Sequence, residues 1–333
     1  MHLRAGAPVL WRDEGVCQVG STPGRAVVVS GLDRGEQRLL ERLSGSPDPI
    51  DLHATAPQLG LPRKRAEDLA RLLLLAGVLA PDRVPCPVGA DEVYWDALVD
   101  DARARSRRLY RSVVGVLGAE PVPRPTMAPR AGRSQPPVSA GGTGPVPAPD
   151  PLALPLACHL AVAGVGTLLL HGDRAGSQVL RSRYPALVQH APLGTRPDLT
   201  VSIATGATDL VQERRLQQED LSHLLVTVRE TGVEVGPLVV PGRTPCGMCL
   251  EMWRRDADPA WPTLTLQLRS VPRPALESLL TEQCAALAAR MVLDALTSRG
   301  RAWWGTSVEL TAVDPLGAER RWEPHPDCGC LDT

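Results

Sequence analysis

Leu199-Thr200-Val201-Ser202-Ile203-Ala204, a helical run around Leu210–Glu219, and then Leu224-Leu225-Val226-Thr227-Val228 decide the fold class. The two flanking segments are short apolar runs, the pattern of strands buried on both faces. Upstream, the 22 residues from Pro151 to Gly172 carry no charge, long enough to span a bilayer. Pro155, Gly164 and Gly166 interrupt them, and Thr167-Leu168-Leu169-Leu170 closes them in strand-like residues. They read as a buried helix, a glycine turn and a buried strand, not as a membrane span. Downstream come Val233 to Val240, a long helix from about Pro274 to Ser298, and a strand over Thr306–Val313. Strands alternating with helices predict an α/β unit over 151–333 with a mainly parallel sheet.

A separate small unit is expected over 1–82. Pro8–Trp11, Val16–Val19 and Ala26–Val29 are β-prone runs separated by polar and Pro-Gly turns. Three helical patterns follow. Asp33 is placed to cap the first, a second fits Asp51 to Leu59, and the third runs from Pro62 to Gly77 with Leu69, Leu72, Leu73 and Ala76 at core spacing. Three strands then three helices make a winged-helix-like arrangement. Residues 83–150 join the units through a charged helical segment (91–113) and a breaker-rich stretch; eleven prolines fall between Pro121 and Pro155, a density that blocks both helix and sheet.

Composition removes several functions. The chain has 35 Arg but one Lys (Lys64), with 33 Pro, 30 Gly, no Phe and a net charge of −1. The arginine bias weakens any nucleic-acid reading of basic clusters. A phosphate-binding GxxxxGK[ST] loop or a lysine Schiff base would have to use Lys64, which has no glycine loop before it. Residues 1–15 hold no apolar run of signal-peptide length, so a cytoplasmic location is expected, and eight cysteines in a cytoplasmic chain point to metal or chance rather than to disulfides.

The strongest chemical signal is Cys246-Gly247-Met248-Cys249 together with Cys328-Gly329-Cys330. Two closely spaced thiol pairs suit the tetrahedral sulfur shell of a structural zinc, and the long interval lets one ion tie the tail to the body. A redox pair at Cys246 and Cys249 is the alternative, though it leaves the second pair unexplained. His325 is a candidate substitute ligand. Gly141-Gly142-Thr143-Gly144, with Asp173 after the next strand, has the outline of a nucleotide turn, but Pro145 and Pro147 remove donors where phosphates need them. Asp209, Glu213, Glu219 and Asp220 read as a solvated helix face. No catalytic set assembles from spacing.

Thr244–Glu251, then Arg254–Pro262, and the terminal His325–Cys330 resemble the actinobacterial ThiF-like (ocin-ThiF-like) proteins of the azole/azoline peptide-modification family, leader-peptide-binding partners of YcaO cyclodehydratases. Residues 1–82 are similar to that family's winged-helix peptide-recognition domain, and 140–333 to its ThiF-like, Rossmann-type α/β body. The resemblance implies that a precursor leader peptide adds as a strand along Ala26, Val27, Val28 and Val29, beside a groove wall of Lys64, Asp68 and Arg71. It further implies a YcaO-type partner, a homodimer and a structural zinc on Cys246, Cys249, Cys328 and Cys330.

Active relatives also carry a Gly-rich turn, an acidic ribose ligand, a lysine on the phosphates and a magnesium-binding Asp. Here the turn holds prolines, the only Lys is N-terminal, and Gly206-Ala207 stand where that Asp would be. The expectation is a degenerate body with ATP doubtful and Gly142, Gly144 and Asp173 as residual nucleotide positions. The function expected is a non-catalytic scaffold presenting the leader to the cyclodehydratase. An active adenylyltransferase and a winged-helix DNA-binding regulator are the alternatives; against the latter, Glu67 and Asp68 directly follow the basic 63–65 tip.

Overall fold

The computed structural model describes residues 1–4, 7–45, 49–80, 89–99, 101–118, 150–192, 194–268, 271 and 273–331. Gly142 and Gly144 lie outside the described residues. The chain divides into two compact units, Met1–Arg107 and Arg108–Thr333.

The first unit contains β1 (His2–Leu3), β2 (Val9–Asp13), β3 (Val16–Val19), β4 (Val27–Ser30), α1 (Arg34–Gly45), α2 (Leu52–Gln58), α3 (Arg63–Leu75), β5 (Leu79–Ala80) and α4 (Ala90–Asp96), and α5 (Ala102–Arg111) runs across the boundary between units. Strands β2, β3 and β4 form one antiparallel sheet in that order, and β1 pairs with β5. Asp33 and Glu36 cap α1 reciprocally. The Glu36 N–H donates to Asp33 Oδ1 and the Asp33 N–H donates to Glu36 Oε2, both at 2.8 Å. Leu39, Leu40, Leu43, Leu69 and Leu73 close the core around the buried Cys17 and Val19 of β3.

The second unit begins with β6 (Val113–Leu117), followed by α6 (Ala153–Val162), β7 (Thr167–His171), α7 (Arg174–Arg183), β8 (Leu199–Thr205), α8 (Leu210–Gln218), β9 (His223–Val228) and β10 (Gly232–Val239). Then come α9 (Gly247–Ala257), α10 (Trp261–Leu268), α11 (Ser278–Leu296), β11 (Thr306–Thr311) and β12 (Ala318–Arg321). The uncharged stretch before Gly172 is thus α6, a turn and β7. No helix among the described residues is long and apolar enough to cross a membrane.

One seven-stranded sheet has the order β12-β11-β10-β9-β8-β6-β7. Its β7-β6-β8-β9 portion is parallel, and β10, β11 and β12 join it through antiparallel pairings. The antiparallel half follows from chain length. Only residues 229–231 separate β9 from β10, with the Arg229 N–H donating to the Gly232 carbonyl, and so short a link makes a hairpin, not a crossover. Strand β6 was hidden in the sequence behind an arginine-rich helix, yet it lies inside the sheet, between β7 and β8. Helices α6 and α11 pack together over the apolar side chains of β6 to β10.

Leu168, fully buried in β7, and Leu316, almost wholly exposed, supply a contrast. Leu168→Ala should lower the unfolding free energy by about 2–5 kcal/mol, and Leu316→Ala should leave it within about 0.5 kcal/mol, measured by guanidinium titration. Equal effects would contradict this placement of the core.

Candidate functional site

Four sulfur atoms converge where α9 starts. Cys246 and Cys249 stand one helical turn apart at the first turn of α9, with Cys246 as its N-cap residue and the thiols 3.8 Å apart. Beyond β12 the tail returns. Cys328 Sγ lies 3.6 Å from Cys246 Sγ, and Cys330 Sγ lies 3.4 Å from Cys249 Sγ. Between them Gly329 takes φ of 68°, a left-handed turn that a side chain would strain. All four ligand atoms fall within 4.8 Å of one another.

Sulfurs held at about 2.3 Å from one tetrahedral ion sit about 3.8 Å apart, so the spacing fits a metal and is far too long for disulfides. The donor set is all sulfur, which suits a soft or borderline cation. The four cysteines are therefore placed to hold a metal ion. Trp322, Leu225, Val239 and Leu250 surround the buried pair with apolar side chains.

The thiols are unequal. The hydrogen bond from Cys246 is the leading influence that holds Cys249 down to about 4, and the His325 N–H also favours its thiolate. Cys246 is raised, first by that same shared proton and then by burial. Burial leads in pushing Cys330 up to about 12 and in raising Cys328.

His325 does not take the place of a cysteine in the cluster. Its Nε2 donates to Asp256 Oδ2 at 2.8 Å and its Nδ1 accepts from the Asp327 N–H at 3.1 Å, so both ring nitrogens are engaged. With the Trp253 indole donating to the Glu323 carbonyl at 2.9 Å, this contact lays the tail along α9. On another side of α9, Arg254 donates to Glu251 Oε1 and to Glu234 Oε2, each at 2.6 Å. Glu234 also accepts from Arg229 and Ser307, and Ser307 accepts from the Trp322 indole. Arg229 and Arg254 outweigh the burial of Glu234 and hold its carboxyl below the usual carboxylate range.

One expectation about the acidic residues needs correction. Asp209 caps α8, accepting from the Val211 and Gln212 N–H groups, but Glu213 does not face solvent. It is buried, three residues before the buried Leu216 on the same face, and its Oε2 lies 2.5 Å from Nε2 of the fully buried His223. Burial would raise its pKa; the His223 hydrogen bond and charge and the Gly247 N–H outweigh it and lower the carboxyl. The signal was present in the position of Glu213 relative to Leu216, but a single acidic residue on an apolar face is ordinarily outvoted by its acidic neighbours.

At the carboxyl ends of the parallel strands, where open α/β sheets take ligands, several polar groups pair with one another. Asp173, after β7, caps α7 by accepting the Gly176 N–H at 2.7 Å and also accepts the Asp150 N–H at 3.1 Å. Asp150 is paired with Arg273 and accepts the Leu152 and Ala153 N–H groups. Leu268 of α10 lies against Gly206, just after β8. A shallow cavity of about 580 Å³ is lined by Asp173, Arg174, Ser177 and Arg181.

In the first unit, Val27–Val29 belong to β4 and Ala26 ends the turn before it. Strand β4 pairs with β3 alone among the described residues. The Gly20 N–H bonds the Pro8 carbonyl, so the alternation of the antiparallel ladder turns Gln18 toward β2, and Cys17 and Val19 toward β4. Val27 and Val29 then bond β3, and the N–H and C=O of Val28 point off the open edge. On α3, Lys64, Asp68 and Arg71 follow i, i+4, i+7 spacing along one face, with Asp68 and Arg71 3.9 Å apart. Leu72 and Leu75 are exposed on the same side of the helix.

No protein-family model and no curated protein matches the chain. Solved structures do. E. coli MccB is 14% identical at a TM-score of 0.63, covering 99% of this chain and 96% of that one. The complex of E. coli MccB with AMPCPP and the MccA peptide is 13% identical at 0.64, covering 100% and 99%. A heterocyclase in complex with substrate and cofactor is 14% identical at 0.65, covering 99% of this chain and 39% of that one. These likenesses show a shared fold across both units.

Titration with Co²⁺ should saturate at one ion per chain with sulfur-to-metal charge-transfer absorption. Only thiolates ligate, so loading at neutral pH must expel the protons of the three raised thiols. Affinity should therefore fall as pH drops, by up to about a thousandfold per pH unit. A titration insensitive to pH, or one well short of one ion, would contradict the four-thiolate site.

Proposed function

We propose that the chain is a non-catalytic ThiF-like scaffold that captures the leader of a precursor peptide and presents it to a YcaO-type cyclodehydratase in azole/azoline peptide biosynthesis. The observation that carries this reading is the open edge of β4. Its outward Val28 N–H and C=O lie on an edge strand of the β2-β3-β4 sheet, the arrangement that β-augmentation requires. Main-chain bonds would supply affinity there. Lys64, Asp68 and Arg71, with the exposed Leu72 and Leu75 of α3, would supply selectivity.

The first unit would then carry a winged-helix-like recognition domain over 1–82, and the ThiF-like body would comprise residues 151–333 together with β6 (Val113–Leu117). Support also comes from the relatives in fold. MccB has been solved with the MccA peptide, and the heterocyclase with its substrate. The pairing of Asp150 with Arg273, and of Asp173 with backbone N–H groups, favours a scaffold over an adenylyltransferase. We assign the metal as a structural zinc on Cys246, Cys249, Cys328 and Cys330, and the working form as a homodimer in the cytoplasm.

Affinity capture of the tagged chain from its own cells, read by mass spectrometry, should recover a small precursor peptide and a YcaO-type enzyme. Val28→Pro should lose the peptide while keeping the far-ultraviolet circular dichroism, because an edge proline with an outward N–H spares the β3 ladder. Peptide recovery that is equal with both proteins would contradict the proposed edge.

A further inference from the structure

The first turn of α9 has an unusual difficulty. Its N-cap residue is Cys246, whose side chain makes no capping hydrogen bond and faces the other three thiols. Ser, Thr, Asp or Asn at that position would accept the Met248 or Cys249 N–H, and none is present. An acceptor for the N–H one residue into the helix comes from another helix. Glu213 Oε1, on α8, accepts the Gly247 N–H at 2.7 Å. The fit is close, because a Cβ on Gly247 would stand 3.0 Å from Glu213 Cδ and 2.8 Å from Thr208 Cγ2. Only a glycine between the cap cysteine and Met248 lets the carboxylate rest on the backbone.

Glu213 is itself held. Its Oε2 contacts His223 Nε2 at 2.5 Å, and His223 Nδ1 lies 2.7 Å from the Leu221 carbonyl. A carbonyl only accepts, so Nδ1 carries a proton and fixes the ring's orientation. Gln217 Nε2 adds a bond to Oε1 at 3.3 Å. Burying a carboxylate and an imidazole this completely is costly unless each is fully paired. The start of α9 is buried, so the Glu213 carboxylate, not water, must satisfy the Gly247 N–H that stands between the two ligand cysteines.

We infer that Glu213, oriented by His223, is a positioning residue for the metal ligands: it fixes the backbone between Cys246 and Cys249 so that their thiols are set before an ion arrives. Residues that orient ligands from outside the coordination sphere typically change metal affinity by about 10–100-fold when replaced. The inference rests on the metal reading of the four cysteines.

The test compares variants of the full chain by competition for Zn²⁺ against a chromophoric chelator and by the visible spectrum of the Co²⁺ form. Glu213→Leu, which keeps the volume and removes the acceptor, should weaken Zn²⁺ binding by about 10–100-fold and alter the Co²⁺ d–d bands. Glu213→Gln, which keeps the reach and the acceptor, should restore both to within about threefold of the natural chain. Should Glu213→Leu fail to fold, Glu213→Asp replaces it. That variant keeps the charge but is one methylene too short, and should be the weaker binder of the two remaining. Natural affinity and spectrum in Glu213→Leu, or Glu213→Gln weaker than Glu213→Asp, would overturn the positioning role. A natural chain that binds no Zn²⁺ would instead overturn the metal reading beneath it.

Discussion

The meeting of Cys246 and Cys249 with Cys328 and Cys330 is the contact on which the second unit's C-terminal half depends. The two pairs are about 80 residues apart in sequence, and the bridging thiol contacts span 82 and 81 positions. A cross-link over that interval removes about 4–5 kcal/mol of unfolded-chain entropy in a chain-entropy account. From Trp322 onward the tail has no strand pairing, and besides the thiols it is held by the Trp322 indole on Ser307, the Trp253 indole on Glu323 and His325 on Asp256. One ion would do for this segment what a strand pairing does elsewhere. The apolar sheath of Trp322, Leu225 and Val239 keeps water from competing for the buried thiolates.

Helix α9 is the hub because its residues serve three masters. Its N-terminus carries two thiols and rests on Glu213, its middle carries Glu251 and Arg254, and its C-terminal turn offers Asp256 to His325. Arg254 reaches Glu234 of β10, and Glu234 reaches Ser307 of β11 and, through it, the Trp322 indole. The antiparallel strands, the helix and the tail are thus bound into one polar network in which the buried acceptors are shared among several donors. Such a network is stable only when complete, which ties the geometry of the thiols to strands far from them in sequence.

What could be read beforehand divides along physical lines. Local signals survived. Asp33 does cap α1, Pro62 does precede α3, and the apolar runs at 199–204 and 224–228 are buried strands. The four cysteines were legible because their spacing carries a chemistry that few other residues share. Strand β6 was not, since Val113–Leu117 follows an arginine-rich helix and precedes a proline-dense stretch, and its apolar run of five is ambiguous by itself. Strand β12 is four exposed residues, Ala318–Arg321, that become a strand only by pairing with β11. The pairing of Glu213 with His223 was not legible for a different reason. Ten residues and a strand boundary separate them, and only the packing of α8 on the sheet brings them to 2.5 Å.

A sulfur-ligated ion at the start of α9 is the claim on which the rest of this account stands. X-ray absorption at the zinc edge of the natively purified chain tests it most directly. Four sulfur neighbours at about 2.3 Å, with no nitrogen or oxygen in the first shell, are predicted. A mixed shell containing imidazole, or a protein that carries no zinc when isolated, would contradict it.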